Sequence, residues 1–233
     1  MESTALITVL FDYPTDWEPK FYKNSLKYFE ESNVHILRYN NIFQSDSYYE
    51  KLYHHKIIKL NEYLKTNILG KYQHVLFLDA TDTNFVSDPN RLINYFKEND
   101  KSIIFCSERG LWPPTKYTHL YNDRPKLSES CYLNSGVYFG LVDKIIQHLD
   151  KIIEEEYSID DQGAWSAEYL LSTDIEVDQE NKYFFSTFNS KELINTENNS
   201  VEFIGITPIV IHDNGPNNEN TIKLTDKLNE TWD

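Results

Sequence analysis

Apolar residues fall into two patterns along this chain. Short, nearly unbroken runs at 5–11, 34–39, 74–78, 101–107, 132–140 and 209–211 read as strands, the run 74–78 as one buried in mid-sheet. Apolar positions at helical spacing predict helices at 21–31, with Tyr22, Leu26 and Phe29 on one face, and at 50–69, with Leu52, Ile57, Leu60, Leu64 and Ile68. Two more are predicted at 143–156 and 160–171. Ser87-Asp88-Pro89 opens another, with Asp88 as N-cap, Pro89 as first helical residue and Leu92, Ile93 and Phe96 buried. Gly70 is the expected stop of the long helix. Strands at 183–188 and 201–205 complete the set. Residues 40–49 and the tail beyond 217 read as irregular, and 116–130, polar and without a period, as a flexible loop. The strand–helix–strand order predicts βαβ units, hence an α/β protein with a largely parallel sheet. No linker divides the chain, so one domain is expected over residues 1–233.

The composition suits a globular protein with a full core. No apolar run approaches membrane-spanning length. No basic stretch followed by a long apolar one marks a signal peptide. Cys106 and Cys131 have no metal-finger spacing, and Cys106 is expected as a buried thiol in a strand. Together these predict a cytoplasmic protein with no membrane partner. A formal net charge of −15 opposes non-specific binding to nucleic acid or anionic membranes. It leaves room for a phosphate ligand held through a divalent cation.

The candidate chemistry gathers at predicted strand ends, where open α/β sheets place their ligands. Asp79 and Asp82, a DxxD pair, follow the run 74–78. Two hard oxygen donors suit Mg²⁺ or Mn²⁺, but aspartates also cap turns. Asn134-Ser135-Gly136 leads into the strand at 132–140, and the glycine predicts a close backbone approach. Asn134, Gly136 and Gln162 are candidates to hydrogen-bond the hydroxyls of a ligand, or are plain turn residues. His212-Asp213-Asn214-Gly215 follows the last strand, where a single histidine is also a common structural residue. Asp160-Asp161-Gln162 opens a helix, with Asp160 the expected N-cap. Glu108 and Trp112 stand in a loop stiffened by Pro113 and Pro114.

Five segments, LFLDATD, FCSERGLWPP, YLNSGVYFG, DDQGAWS and PIVIHDNGP, occur in this order between residues 75 and 216. As an ordered set they resemble the glycosyltransferase domain of the procollagen lysyl hydroxylases, and more distantly the glycogenin-like sugar transferases. The resemblance implies a GT-A (Rossmann-like) fold with a central, mostly parallel mixed sheet flanked by helices. It implies a UDP-hexose donor and a divalent cation, usually Mn²⁺. Asp79, Asp82 and His212 match the metal ligands. Asp160 and Asp161 match acids on the sugar and acceptor side. Lys56 matches a basic residue near the donor, and Asn214 and Gly215 its diphosphate-side loop. Thr81 and Ser135 fall in the same donor-side blocks, and Glu108 and Trp112 on the acceptor side.

The chain departs from the family at two places. Thr81 stands where an aromatic often stacks on uracil. After Pro216, Asn217-Asn218-Glu219-Asn220 replaces a nearby lysine, leaving Lys223 as the next cation. No hydroxylase block is present in these 233 residues. The implied reaction is transfer of glucose or galactose to a protein or glycoside acceptor, such as hydroxylysine or galactosylhydroxylysine of collagen-like chains. A metal-dependent nucleotidyltransferase or phosphohydrolase, and a non-catalytic nucleotide-sugar binding module, are the competing readings.

Overall fold

The computed structural model describes residues 3–11, 17–39, 47–189, 194–195, 202–203 and 206–214. Strands β1 (Thr4–Phe11), β2 (Val34–Tyr39) and β3 (His74–Leu78) are parallel, with β1 in the middle. β6 (Tyr132–Leu141) runs antiparallel between β3 and β5 (Ile103–Glu108), and β7 (Ile175–Val177) pairs parallel with β5. The order is β2-β1-β3-β6-β5-β7, the mostly parallel mixed sheet expected of the chain. All five residues of β3 are buried. Val75 and Phe77 join one apolar cluster and Leu76 and Leu78 the other, so both faces of the sheet are covered. That double burial is why β3 reads as an unbroken apolar run rather than an alternating one.

A second, three-stranded sheet lies beside the first. Its middle strand β11 (Val210–His212) pairs antiparallel with β4 (Thr83–Phe85) and parallel with β8 (Phe184–Ser186). A further pair, β9 (Ile194–Asn195) and β10 (Glu202–Phe203), is antiparallel. β4 has no counterpart in the sequence pattern, because three residues are too few to show a period. His212, expected just after the last strand, is its final residue.

The long helix starts as α2 (Tyr48–Tyr53) and ends at Ile68. It passes through a π-helical segment (His54–Lys59), α3 (Leu60–Tyr63) and a second π-helical segment (Leu64–Ile68). Ile57, Leu60, Leu64 and Ile68 are fully buried against the sheet. Gly70 follows with φ of +80°, a conformation open to glycine at no steric cost. α5 (Val142–Glu155) and α6 (Asp161–Leu171) cover the same face, with Trp165 of α6 packed on Phe105 and Tyr138.

Three expectations shift. The first helix, α1 (Trp17–Ser25), begins and ends earlier than 21–31. Ser25 Oγ donates back to the Phe21 carbonyl, and the Ser25 carbonyl accepts from Tyr28 and Phe29, closing the chain into a turn. Leu26 is therefore exposed, while Phe29 reaches the core. α4 (Arg91–Glu98) starts two residues later than expected, because Asp88 Oδ1 accepts from Asn90 N and holds Pro89-Asn90 as a turn. The segment 116–130 is anchored rather than a loose loop. It holds a 3₁₀ turn (Thr118–Asp123) and buries Tyr121, and Arg124 donates to the carbonyls of Tyr169, Leu170 and Ser172 at the C-terminus of α6.

The last carbonyls of a helix lack the usual intrahelical donors; here the Tyr169 carbonyl also accepts from Ser172 N at 3.4 Å, and Arg124 serves all three. Arg124→Ala is expected to lower stability by about 1.5–3 kcal/mol, the scale of charge-assisted hydrogen bonds. Urea unfolding measures this, and limited proteolysis should show new cleavage between residues 116 and 130.

Candidate active site

The acidic residues sit where the ends of β3 and β6 come beside β4 and β11. Asp79 follows β3, and its backbone N donates to the Gly136 carbonyl at 2.8 Å. A turn through Ala80, Thr81 and Asp82 leads into β4, closed by Thr83 Oγ1 donating to the Asp79 carbonyl at 2.5 Å. β11 then pairs so that His212 lies opposite Thr83, the residue after Asp82. Asp213 N donates to the Asp82 carbonyl at 2.8 Å and extends the pairing. The result brings one ligand atom each from Asp79, Asp82 and His212 within 4.8 Å of one another.

His212 is fixed on two sides. Its Nδ1 is 2.8 Å from Asn134 Oδ1, which orients Nε2 toward the carboxylates, 3.3 Å from Asp82 and 4.0 Å from Asp79. Its ring lies flat against Gly136, where a Cβ atom would come within 2.2 Å of His212 Cε1. The close approach expected at this glycine is thus to a side chain of the site. Two carboxylates and an imidazole with its other nitrogen hydrogen-bonded form a donor set that can hold a divalent ion.

On the other side, Lys56 Nζ contacts both oxygens of Asp79, at 2.7 and 2.8 Å, and stands 3.7 Å from Asp161 Oδ2. Asp161 also accepts from Ser135 Oγ at 2.9 Å. Asp160 is the N-cap of α6, its Oδ1 accepting from Gly163 N at 2.9 Å. Glu108, the last residue of β5, is buried among three side-chain amides. Asn134 and Asn214 donate to its Oε2 at 2.8 and 2.7 Å, and Gln162 to its Oε1 at 2.8 Å.

Residues 7–233 match the PLOD GT domain. The chain belongs to that family of GT-A glycosyltransferases. Procollagen-lysine,2-oxoglutarate 5-dioxygenase of Drosophila melanogaster is 27% identical over 157 residues, covering 60% of this chain and 21% of that protein. The chain thus matches about a fifth of the length of this relative. Among solved structures, a glycosyltransferase involved in the glycosylation of the major capsid of PBCV-1 superposes with a TM-score of 0.57 at 10% identity. The match covers 95% of this chain and 98% of that one, a likeness of fold.

Set on the frame of this glycosyltransferase family, the residues singled out from the sequence divide into groups. Asp79, Asp82, His212, Lys56, Asp161 and Ser135 form one connected cluster. Asn134, Gln162 and Asn214 join it through Glu108 and His212. The amides of Asn134 and Gln162 are occupied by protein partners: Asn134 Oδ1 also accepts from Gly136 N, and Gln162 also binds Ser135 N and the Trp112 carbonyl. Thr81 lies in the turn between the two aspartates. Trp112 is half exposed beside Tyr49, ring centroids 6.2 Å apart, and Pro113 rests on the first turn of α6 at Gly163. Gly215 and Lys223 lie outside the described residues. Reading the sequence overlooked Thr83 and Tyr49; neither carried a motif, and only the turn and the fold of the long helix bring them to the site.

The electrostatics follow from burial and pairing. Burial alone would lower the His212 pKa, but Asp82 and Asp79 outweigh it and raise it. Burial works upward on Asp82, but His212 and Lys56 prevail and hold its carboxyl below the usual range. Burial would lower the Lys56 pKa as well, yet Asp161 and Asp79 raise it, so the ammonium stays charged. Glu108 is pushed upward by burial, against the hydrogen bonds it receives. Burial, then the neighbouring Asp161, push Asp160 up to about 6.

Two predictions follow from this geometry. Gly136→Ala should displace the His212 ring and weaken Mn²⁺ binding by about 10–100-fold, the scale for groups that orient metal ligands. Electron paramagnetic titration of free Mn²⁺ reads it, and wild-type affinity would remove His212 from the metal site. For Asp160, the folded state holds the proton more tightly than the unfolded chain, whose carboxyl titrates near 3.8. Its ionisation therefore costs the folded state stability as pH rises from about 4 to about 6, and no more above that. Asp160→Asn keeps the cap and lacks this loss. Relative to the variant, the wild type should lose up to about 3 kcal/mol between pH 4 and 7, measured by urea unfolding across pH.

Proposed function

We propose that this chain is a metal-dependent hexosyltransferase that moves glucose or galactose from a UDP-sugar to an acceptor. The observation that carries the reading is the convergence of Asp79, Asp82 and His212 at the meeting of two sheets in a PLOD GT domain, one ion pair away from Asp161. Transfer from a UDP-sugar leaves negative charge on a diphosphate. A divalent ion held by these residues would neutralise that charge without a proton, and the nitrogen donor of His212 favours Mn²⁺ over Mg²⁺.

The remaining roles fall to the chain's own side chains. Asn134 and Gly136 hold His212 in place. Asp161, kept in position by Ser135 and Lys56, faces the reacting sugar carbon and stabilises the positive charge that develops there. Asp160 fixes the first turn of α6 on which Asp161 sits. Lys56, Asn214 and Gly215 serve the diphosphate side of the donor, and Thr81 the base side. Trp112, half exposed and backed by Pro113, offers a low-entropy stacking surface to the acceptor. The Drosophila relative, named for procollagen lysine, suggests hydroxylysine or its galactoside in collagen-like chains as the acceptor. The net charge of −15 suits a basic acceptor segment.

The test is a screen of sugar nucleotides with Mn²⁺, reading released nucleotide donor by donor. Free UDP is the expected product; diphosphate or monophosphate release would mean chemistry at phosphorus instead. Asp161→Asn keeps size and hydrogen bonding and removes the charge. It should lower kcat by about two orders of magnitude, the effect of losing one electrostatic stabiliser, while calorimetric Mn²⁺ and UDP affinities stay near wild type. A large loss of Mn²⁺ affinity would place Asp161 among the metal ligands.

A further inference from the structure

Asp79 is claimed from two directions. Its carboxylate completes the cluster with Asp82 and His212, and both of its oxygens lie within 2.8 Å of one ammonium group, that of Lys56. An ion bonded to an Asp79 oxygen at about 2.2 Å lies within about 5 Å of that ammonium. Two positive charges at this separation, with little water between them, repel strongly. Lys56 is not confined to Asp79. A second carboxylate, Asp161, stands 3.7 Å from Nζ and is not one of the three residues of that cluster. The lysine belongs to the π-helical segment His54–Lys59, and its side chain is 11% exposed, so few other partners are within reach.

We propose that Lys56 acts as a built-in competitor for the metal site, and that it couples metal binding to donor binding. While Lys56 holds Asp79, a divalent ion gains only part of that carboxylate. An anionic diphosphate beside the site draws the ammonium off Asp79, leaving it between the diphosphate and Asp161, and frees both Asp79 oxygens for the ion. Metal alone then binds weakly, and metal with nucleotide diphosphate binds tightly. By linkage, the nucleotide's affinity rises with metal by the same factor. Lys56 is in this account a positioning residue for Asp79, besides its contact with the donor. The inference rests on the nucleotide-diphosphate donor of the proposed function.

The experiment is an Mn²⁺ titration without nucleotide, followed by magnetic resonance of free Mn²⁺, on the wild type, Lys56→Met and Lys56→Arg. Removing the ammonium should tighten Mn²⁺ binding by about 5–150-fold, the usual range of coupling between sites. Lys56→Arg keeps the cation and should bind close to wild type. Saturating UDP should tighten Mn²⁺ binding by a smaller factor in Lys56→Met than in the wild type. A methionine variant that binds Mn²⁺ no more tightly than wild type overturns the proposal. Without Lys56 the carboxylates repel one another, so if the methionine variant does not fold, Lys56→Gln, which still donates a hydrogen bond to Asp79, takes its place under the same criterion. The two claims fail separately. A protein that releases no UDP from any sugar nucleotide removes the donor reading, whereas the nucleotide-free Mn²⁺ comparison decides the competition at Asp79.

Discussion

The antiparallel pairing of β11 with β4 is the constraint on which the site depends. It places His212 opposite Thr83, and so beside Asp82, although 130 residues separate the histidine from that aspartate in the chain. The pairing is short, three residues on each strand, and is held from its other edge by β8. Backbone hydrogen bonds fix the strand to within one register, since a slip by one residue would turn the His212 ring to the opposite face. Gly136 makes the arrangement possible from the central sheet, because any side chain there would occupy the volume of the imidazole. The cluster of Asp79, Asp82 and His212 is therefore a product of two sheets meeting, with Gly136 making room for the imidazole.

A second organising group is Glu108. Buried carboxylates are ordinarily paired with a cation. This one instead accepts hydrogen bonds from three neutral amides, on β6, on α6 and just after β11. Each of those amides reaches onward. Asn134 holds His212, Gln162 holds the backbone of Ser135 and of Trp112, and Asn214 accepts from Ser186 of β8. One carboxylate thus ties the side that carries His212 to the loop that carries Trp112. Hydrogen bonds linked in this way polarise and strengthen one another in a buried setting.

The site, like the chain as a whole, carries a surplus of negative charge. Asp79, Asp82 and Asp161 face one ammonium and one imidazole. The surplus of negative charge attracts a divalent cation, and an added cation in turn favours an anionic ligand. No helix among the described residues is long and apolar enough to cross a membrane.

Local signals in the chain were enough for several parts of this picture. β3 was legible because both faces are buried and its residues are all apolar. The start of α6 was legible because Asp160 caps it through its own side chain, and the end of the long helix because Gly70 takes a left-handed conformation. The ordered motifs marked Asp79, Asp82, Asp161 and His212, and the family carried the GT-A architecture. Other features had no local signature. β4 is too short to show a period, and α1 ends where Ser25 turns back on its own helix, so Leu26 meets water despite its helical spacing. Arg124 orders a polar segment by reaching carbonyls some 45 residues away. The clearest case is Lys56, whose sequence position names a nearby cation but not its partner. Only the fold places its ammonium on both oxygens of Asp79, because that contact joins a helix and a strand end through side chains that backbone periodicity does not encode.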